Sequence, residues 1–239
     1  NFTYRKYEVQ EKNIGEFFYK YKKDKHFIGF NVTIPYKENF ISLCDKVTAR
    51  AKKIGSINLT YKKNNLVYGD NTDVLGFNKT FNFLKIKNTR SVLMIGAGGA
   101  ARAILYYLNK KSIENIDIFA TSTKRKKDLS KKFKFKNFLT KSSHLKKRYD
   151  LIINASSAGM SKDNKINRNI LYLVKKASGV IDIVYNPIET DLLKEAKKHN
   201  VKSSSGLKML VEQAKPSYER WCGNKIKIDN KIYQMLLRN

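Results

Sequence analysis

Acidic side chains are in short supply: the 239 residues carry 20 Asp and Glu against 49 Lys and Arg, for a formal net charge of +29. Cysteine is scarcer still. Cys44 and Cys222 stand far apart in dissimilar contexts with no C-x-x-C spacing, which argues against a cysteine-held metal. Both read as buried free thiols of a reducing cytoplasm. The three histidines, His26, His144 and His199, sit singly among lysines and read as surface residues rather than ligands or bases. No run of about eighteen apolar residues occurs, so no membrane-spanning helix is expected. No secretory signal is visible, and a cytoplasmic location is expected. The chain opens on Asn1 rather than Met, so further residues upstream are expected.

A positive excess of this size raises the question of nucleic-acid binding. Its distribution argues otherwise. The basic residues are dispersed (Lys22 and Lys23, Lys52 and Lys53, Lys110 and Lys111, Lys124 to Lys127, Lys146 to Arg148), with no single stripe carrying interleaved aromatics. Lysine, asparagine and isoleucine are abundant everywhere, as a codon bias toward A and T produces. Such a field attracts small anions and holds polyanions weakly at low salt; no specific nucleic-acid partner and no membrane partner is expected. Hydrophobic content of 41% and aromatic content of 12% suffice for a core, which excludes a disordered chain. The length fits one large domain or two small ones.

From Ser91 onward strands and helices alternate. "SVLMI", "NIDIF", "DLIINAS" and "GVIDIVYN" read as strands, "AARAILYYLNKK" and "KRKKDLSKKF" as helices, the pattern of a doubly wound parallel sheet. The first 76 residues are mixed. "FIGFNVTI" reads as a strand, "KENFISLC" and "KVTARAKKI" as short helices, and "SINLTYKKNNLVYGDNT" as a hairpin turning at Asn64-Asn65. "TDVLGFNKTFNFL" returns to helix with Val74, Phe77, Phe81 and Leu84 on one face. After Gly206, "LKMLVEQAKPSYERWCG" and "NKIYQMLLRN" read as helices that fold back onto the first half. The expected fold is α/β in two lobes. Residues 1–76 with 206–239 form a small mixed α/β substrate domain, and residues 77–205 a Rossmann-like cofactor domain.

"IGAGGAARA" places Gly96, Gly98 and Ala101 in G-x-G-x-x-A spacing between an apolar strand and a helix, the context a dinucleotide loop requires. Gly96 allows the tight turn, Gly98 lets backbone approach a pyrophosphate, and Ala101 permits close helix–strand packing. The helix start offers N–H donors to phosphate. An NAD site places an acid about twenty residues on, against the ribose 2′-OH. That stretch holds Ala120, Thr121, Ser122, Thr123, Lys124 and Arg125, with no carboxylate. Hydroxyls and cations suit a 2′-phosphate, so NADP is the expected coenzyme; the alternative is that Lys124 and Arg125 only belong to a basic helix face.

"GFNVTIPYK" puts Lys37 behind Pro35 at a strand end, with polar residues alternating before it. Downstream, "GDNTDVLGF" sets Asp70, Asn71, Thr72 and Asp73 ahead of a helix, where Thr72 or Asp73 is a candidate N-cap. Taken together, "NVTIPYK", "GSIN", "GDNTDVLGF", "GAGGAARA", "INASSAGM", "DIVYNP" and "GLKMLVEQA" occur in the order seen in shikimate dehydrogenases, and the resemblance runs from about Gly29 to Gly223. It implies reduction of 3-dehydroshikimate to shikimate with NADPH, within chorismate and aromatic amino acid biosynthesis. On this resemblance Lys37 and Asp73 match the catalytic lysine and its paired aspartate. Thr33, Asn58 and Gln213 match residues that hold substrate hydroxyls, and Tyr185 a tyrosine near the substrate carboxylate. Gly96, Ala97, Gly98, Gly99 and Ala100 match the pyrophosphate loop, and Met160 and Gly206 positions lining the nicotinamide. Chemically the set is coherent: an ammonium polarises a ketone and then gives the alkoxide its proton. A carboxylate beside it favours the charged amine, so Asp73 is assigned to orienting Lys37 and to a substrate hydroxyl. Asn58 and Gln213 offer both donor and acceptor to a polyol.

The sequence departs from the family twice. The family begins with a strand and a Ser-x-Ser turn that grips the substrate carboxylate. Asn1 to Glu38 match the stretch after that segment, and the expectation is that the segment lies upstream. The family's adenine-side Asn-Arg-Thr is here Ala120, Thr121, Ser122, so Arg125 and Lys124 are the candidates to replace the lost arginine. Two alternatives stand beside an NADP-linked shikimate dehydrogenase: an NAD(P)-linked quinate/shikimate dehydrogenase, and a basic non-catalytic binding module on the same fold. The small-molecule substrate is the expected partner, for a monomer or homodimer.

Overall fold

The computed structural model describes residues 3–237, whose strands form two sheets, one of four strands and one of six. The first lobe opens with helix α1 (Ile14–Lys23), then strand β1 (Gly29–Asn31), the one-turn helix α2 (Phe40–Leu43), strand β2 (Lys46–Val47), helix α3 (Ala49–Ile54) and the hairpin β3 (Leu59–Lys63) and β4 (Leu66–Asp70). The sheet order is β1-β3-β4-β2, with only β2 parallel to its neighbour. Asn64 (φ 51°) and Asn65 (φ 59°) turn the hairpin, and Lys63 pairs with Leu66. Two left-handed asparagines give the turn a twist that matches its strands. Under this sheet Phe18, Tyr21 and Phe40 are buried with Phe30 packed against them, the Tyr21 and Phe30 rings standing edge-on at 4.6 Å between centroids.

Helix α4 (Asp73–Phe83) leads into strand β5 (Val92–Ile95) and helix α5 (Gly99–Lys110). There come next β6 (Ile116–Phe119), α6 (Lys126–Ser130), β7 (Asn137–Leu139), β8 (Leu151–Asn154), α7 (Arg168–Val174), β9 (Gly179–Asp182), α8 (Asp191–Lys198) and β10 (Lys202–Ser204). The last described elements are α9 (Gly206–Cys222) and α10 (Asn230–Leu237). The six strands are all parallel in the order β7-β6-β5-β8-β9-β10, the doubly wound arrangement with its switch point between β5 and β8. The central strands are buried on both faces, so they read as unbroken apolar runs. Val92 and Met94 enter the core under α4 and α5, while Leu93 and Ile95 enter the one under α7 and α8. Among the described residues no helix is long and apolar enough to cross a membrane.

Several elements are shorter than the sequence patterns imply. "FIGFNVTI" pairs only over Gly29–Asn31, because Thr33 begins a turn in which Tyr36 N–H donates to its carbonyl. "KVTARAKKI" divides: Lys46 and Val47 pair with β4, and Thr48 caps α3 by accepting from Ala51 N–H. "KRKKDLSKKF" becomes a 3-10 turn, Thr123–Arg125, and the single turn of α6. Cys44 is buried as expected, but Cys222 is only half-buried, since it closes α9 beside the exposed Gly223. His26, His144 and His199 are exposed as expected.

Candidate active site

The turn after β1 and the start of α4 bring Lys37 and Asp73 together. Lys37 Nζ donates to Asp73 Oδ2 at 2.7 Å, with side chains 14% and 6% exposed, so this pair is mostly withdrawn from solvent. Asp73 sits in the first turn of α4, where the helix dipole favours a carboxylate. Its other oxygen accepts from Asn58 Nδ2 at 2.9 Å. The same amide lies 2.9 Å from Thr72 Oγ1 and 3.0 Å from Gln213 Oε1, while Asn58 Oδ1 accepts from Thr72 N–H at 2.7 Å. Thr72 occupies the N-cap position, but its hydroxyl turns to Asn58 and Gln213 rather than capping the helix. Asp73, the other candidate cap, is the first residue of α4 itself.

Gln213 reaches this cluster because α9 packs tightly on α4. A Cβ on Gly76 would stand 2.5 Å from Met209 O and 2.9 Å from Gln213 Cβ. At the outer side Asn31 Nδ2 donates to Asn58 O at 3.0 Å and to Ser217 Oγ at 3.3 Å, and Tyr4 O–H donates to Asn31 Oδ1 at 2.9 Å. Trp221 Nε1 donates to Thr60 O at 2.8 Å and secures the far end of α9 to the first sheet.

The glycine loop lies directly beside Lys37. A Cβ on Gly99 would stand 3.0 Å from Lys37 Cβ, and Ser56 O–H donates to Gly99 O at 3.2 Å. Gly96 has φ +99°, and a Cβ there would meet Ala155 O at 2.8 Å, so the turn accepts only glycine. A Cβ on Gly98 would meet nothing within 4 Å, leaving open space over the backbone at the start of α5. Positive φ, an open backbone face and a free helix start together fit a pyrophosphate. Thr121, Ser122, Lys124 and Arg125 form the exposed turn after β6, where Ser122 Oγ accepts from Lys124 N–H at 3.2 Å.

On the far side of the switch point, Asp182 is fully buried and accepts three hydrogen bonds: from Thr190 Oγ1 at 2.7 Å, Asn154 Nδ2 at 2.9 Å and Val184 N–H at 3.0 Å. Burial nevertheless pushes its carboxyl up to about 6. This network ties together the loops that carry Met160 and Tyr185, which are 49% and 47% exposed and so present their side chains outward. A cavity of about 310 Å³ opens between Met160, Thr190 and Lys194. Gly206 is buried where α9 begins, and a Cβ there would collide with Ile183 O.

Lys37, Asp73, Asn58 and Gln213, singled out from the sequence, form one connected group. Thr33, Tyr185 and Met160 are exposed, and their side chains make no hydrogen bond to it among the described residues. Sequence reasoning does not reach Thr72 and Asn31 as members of the network, nor Glu38 and Arg102 as charged residues near it, nor Asp182 as the buried carboxylate across the switch point. For Thr72 the signal is present, since it precedes Asp73 directly; for Arg102 nothing in a helix of apolar residues marks it.

Known proteins bear on this arrangement. Residues 1–60 match the model of the shikimate dehydrogenase substrate binding domain, and residues 79–201 that of shikimate/quinate 5-dehydrogenase. The shikimate dehydrogenase (NADP(+)) of Methanococcus maripaludis strain C6 is 35% identical over 235 residues, covering 94% of this chain and 82% of that protein. That of Clostridium beijerinckii is 36% identical over 239 residues, covering 98% and 85%. The crystal structure of shikimate dehydrogenase from Aquifex aeolicus superposes with a TM-score of 0.84 at 30% identity, over 97% of this chain and 84% of that one. A shikimate dehydrogenase solved in complex with NADP+ gives a TM-score of 0.80 at 28% identity, over 97% and 83%. The fold and site are those of a dinucleotide-dependent oxidoreductase. The chain belongs to the shikimate dehydrogenase family.

Proposed function

We propose that this chain catalyses the reversible, NADPH-dependent reduction of 3-dehydroshikimate to shikimate, a step of chorismate and aromatic amino acid biosynthesis. The observation that carries the reading is the Lys37–Asp73 pair at 2.7 Å, set against the first residue of the glycine-loop helix. Lys37 is the general acid: its ammonium polarises the ketone oxygen and gives the resulting alkoxide its proton, and in the reverse direction neutral Lys37 takes the proton from the hydroxyl. Asp73 orients Lys37 and accepts from a substrate hydroxyl. Asn58, Gln213 and Thr33 hold the remaining hydroxyls, and Tyr185 faces the carboxylate.

Gly96, Ala97, Gly98, Gly99 and Ala100 hold the pyrophosphate of NADP through backbone N–H groups. Thr121, Ser122, Lys124 and Arg125 take the 2′-phosphate, and Met160 and Gly206 line the nicotinamide. The coenzyme supplies the hydride; the protein places it and excludes water. We further assign residues 1–76 with 206–239 to the substrate domain and 77–205 to the cofactor domain, in a cytoplasmic monomer or homodimer.

The test is a spectrophotometric assay of shikimate and quinate oxidation with NADP+ and with NAD+. Shikimate with NADP+ is expected to be fastest, and Lys37→Ala to lower kcat by about 10²–10⁴-fold. A faster rate with quinate and NAD+ would move the protein to the quinate branch of the family. Absence of turnover on either substrate would make it a binding module.

A further inference from the structure

Glu38 adjoins Lys37 in the chain, yet its carboxylate takes no part in the polar cluster. Oε2 accepts from Arg102 Nη2 at 2.9 Å, and Oε1 accepts from Arg125 Nη1. The first lobe thus sends one carboxylate to two arginines of the cofactor lobe, one on α5 and one in the turn after β6. Arg102 is 2% exposed, an unusual depth for a guanidinium. The same Nη2 also donates to Asp128 of α6, whose carboxyl this contact holds below the ordinary carboxylate range. Arg125 is different: with 46% of its side chain exposed, its remaining N–H groups stay free to meet a ligand.

Arg125 stands just past the end of β6, the second strand of the doubly wound sheet, where this architecture recognises the ribose 2′ substituent. A guanidinium is a rigid fork that binds phosphate in two N–H bonds when its plane is fixed. An exposed arginine on a turn is not fixed by its own packing, and Glu38 supplies what the turn lacks. The two carboxylates Glu38 and Asp128 are balanced by Arg102 and Arg125, and Lys124 and Lys126 flank the turn, so an incoming phosphate meets no uncompensated negative charge.

We propose that Glu38 is a positioning residue for coenzyme choice: held between the lobes, it fixes one edge of Arg125 and aims the other at the 2′-phosphate that distinguishes NADP from NAD. The inference rests on Arg125 being a 2′-phosphate ligand, as in the proposed function. It also explains why the residue beside the general acid reaches into the other lobe. Seating the phosphate on Arg125 fixes the turn that carries Lys37, so coenzyme recognition and placement of the acid become one event.

The experiment is calorimetric titration of the full chain with NADP+ and separately with NAD+, in the wild type, Glu38→Gln, Arg125→Ala and the double variant. Glu38→Gln is expected to weaken NADP+ about tenfold while NAD+ stays within about twofold, the size of one charged hydrogen bond. Arg125→Ala should lose the same preference, and the double variant should be no weaker than Arg125→Ala alone, since the two act through one contact. Equal weakening of both coenzymes by Glu38→Gln, no change, tighter NADP+ binding or an additive double variant overturns the proposal. If Arg125→Ala leaves the ratio of the two affinities unchanged, the reading of Arg125 fails and the inference with it; if Arg125→Ala removes the preference and Glu38→Gln does not, only the inference fails. Should Glu38→Gln not fold, Glu38→Asp keeps a carboxylate near buried Arg102 with a shorter reach, and is judged by the same ratio.

Discussion

Asn58 and Gln213 are 155 residues apart in the chain and meet at 3.0 Å, amide nitrogen to amide oxygen. One lies just before the strand that opens the hairpin, the other on the helix that comes after the whole parallel sheet. Their contact closes the molecule: α9 returns across α4 and delivers a polar group to the residues around Lys37.

Asn58 is 2% exposed, and both ends of its amide are engaged. Replacing it with alanine leaves Thr72 N–H without its acceptor and strips Asp73 and Gln213 of a donor. Each orphaned buried group costs about 1–3 kcal/mol, so Asn58→Ala is expected to lose roughly 2–4 kcal/mol, read as a lower urea midpoint at unchanged slope. The KM for shikimate should rise in the same variant. A stability change under about 0.5 kcal/mol would mean water replaces these bonds at no cost.

Gly76 tests the helix contact that brings Gln213 in. Gly76→Val places a branched side chain where Met209 O and Gln213 Cβ already lie within 3 Å of a first carbon. Overpacking of this kind costs about 1–3 kcal/mol. As α9 shifts outward, Gln213 leaves the cluster, so KM for shikimate should rise several-fold, by about one lost hydrogen bond, while NADP+ affinity holds. Unchanged shikimate kinetics would show that Gln213 does not touch the substrate.

Asp182 carries a pH signature of unusual sign. Its folded value, about 6, lies above that of the unfolded chain, so the native state holds the proton more tightly. Asp182 therefore contributes most to stability below about pH 4, and the contribution is lost as pH rises to about 6, with a full span of about 3 kcal/mol. Asn in its place does not titrate. The stability of the wild type relative to Asp182→Asn should fall between pH 4 and pH 7; a difference that stays flat across that window would show the carboxylate to be well solvated or fully compensated by its three donors.

Much of the fold is legible because the parallel strands are buried on both faces and so print as apolar runs. The glycine loop is legible because Gly96, at φ +99° against Ala155 O, answers to a backbone demand that no other residue meets, and because the G-x-G-x-x-A spacing falls between a strand and a helix. The short strands β7 and β10 leave weaker traces: they pair on one side only, and "NFL" and "KSS" are too brief for a period to show. In the site, Lys37, Asp73, Asn58 and Gln213 are reached through ordered motifs. Thr72 resembles a cap because a threonine before a helix usually is one. Glu38 and Arg125 are invisible as a pair, since they are 87 residues apart and charge composition says nothing of which lysine, arginine or glutamate meets another.

The charge excess makes a final, separable prediction. With 49 basic and 20 acidic residues, the surface should bind a polyanion such as heparin or duplex DNA at low ionic strength. Binding driven by scattered surface charge comes from counterion release, so it should fall steeply with salt and vanish by about 0.2 M. A specific nucleic-acid site would instead retain affinity there and depend on base sequence. Gel shift of the wild type across a salt series, with shikimate oxidation measured in the same buffers, separates the two. Loss of the shift by about 0.2 M while turnover persists assigns the charge to composition rather than to a second function.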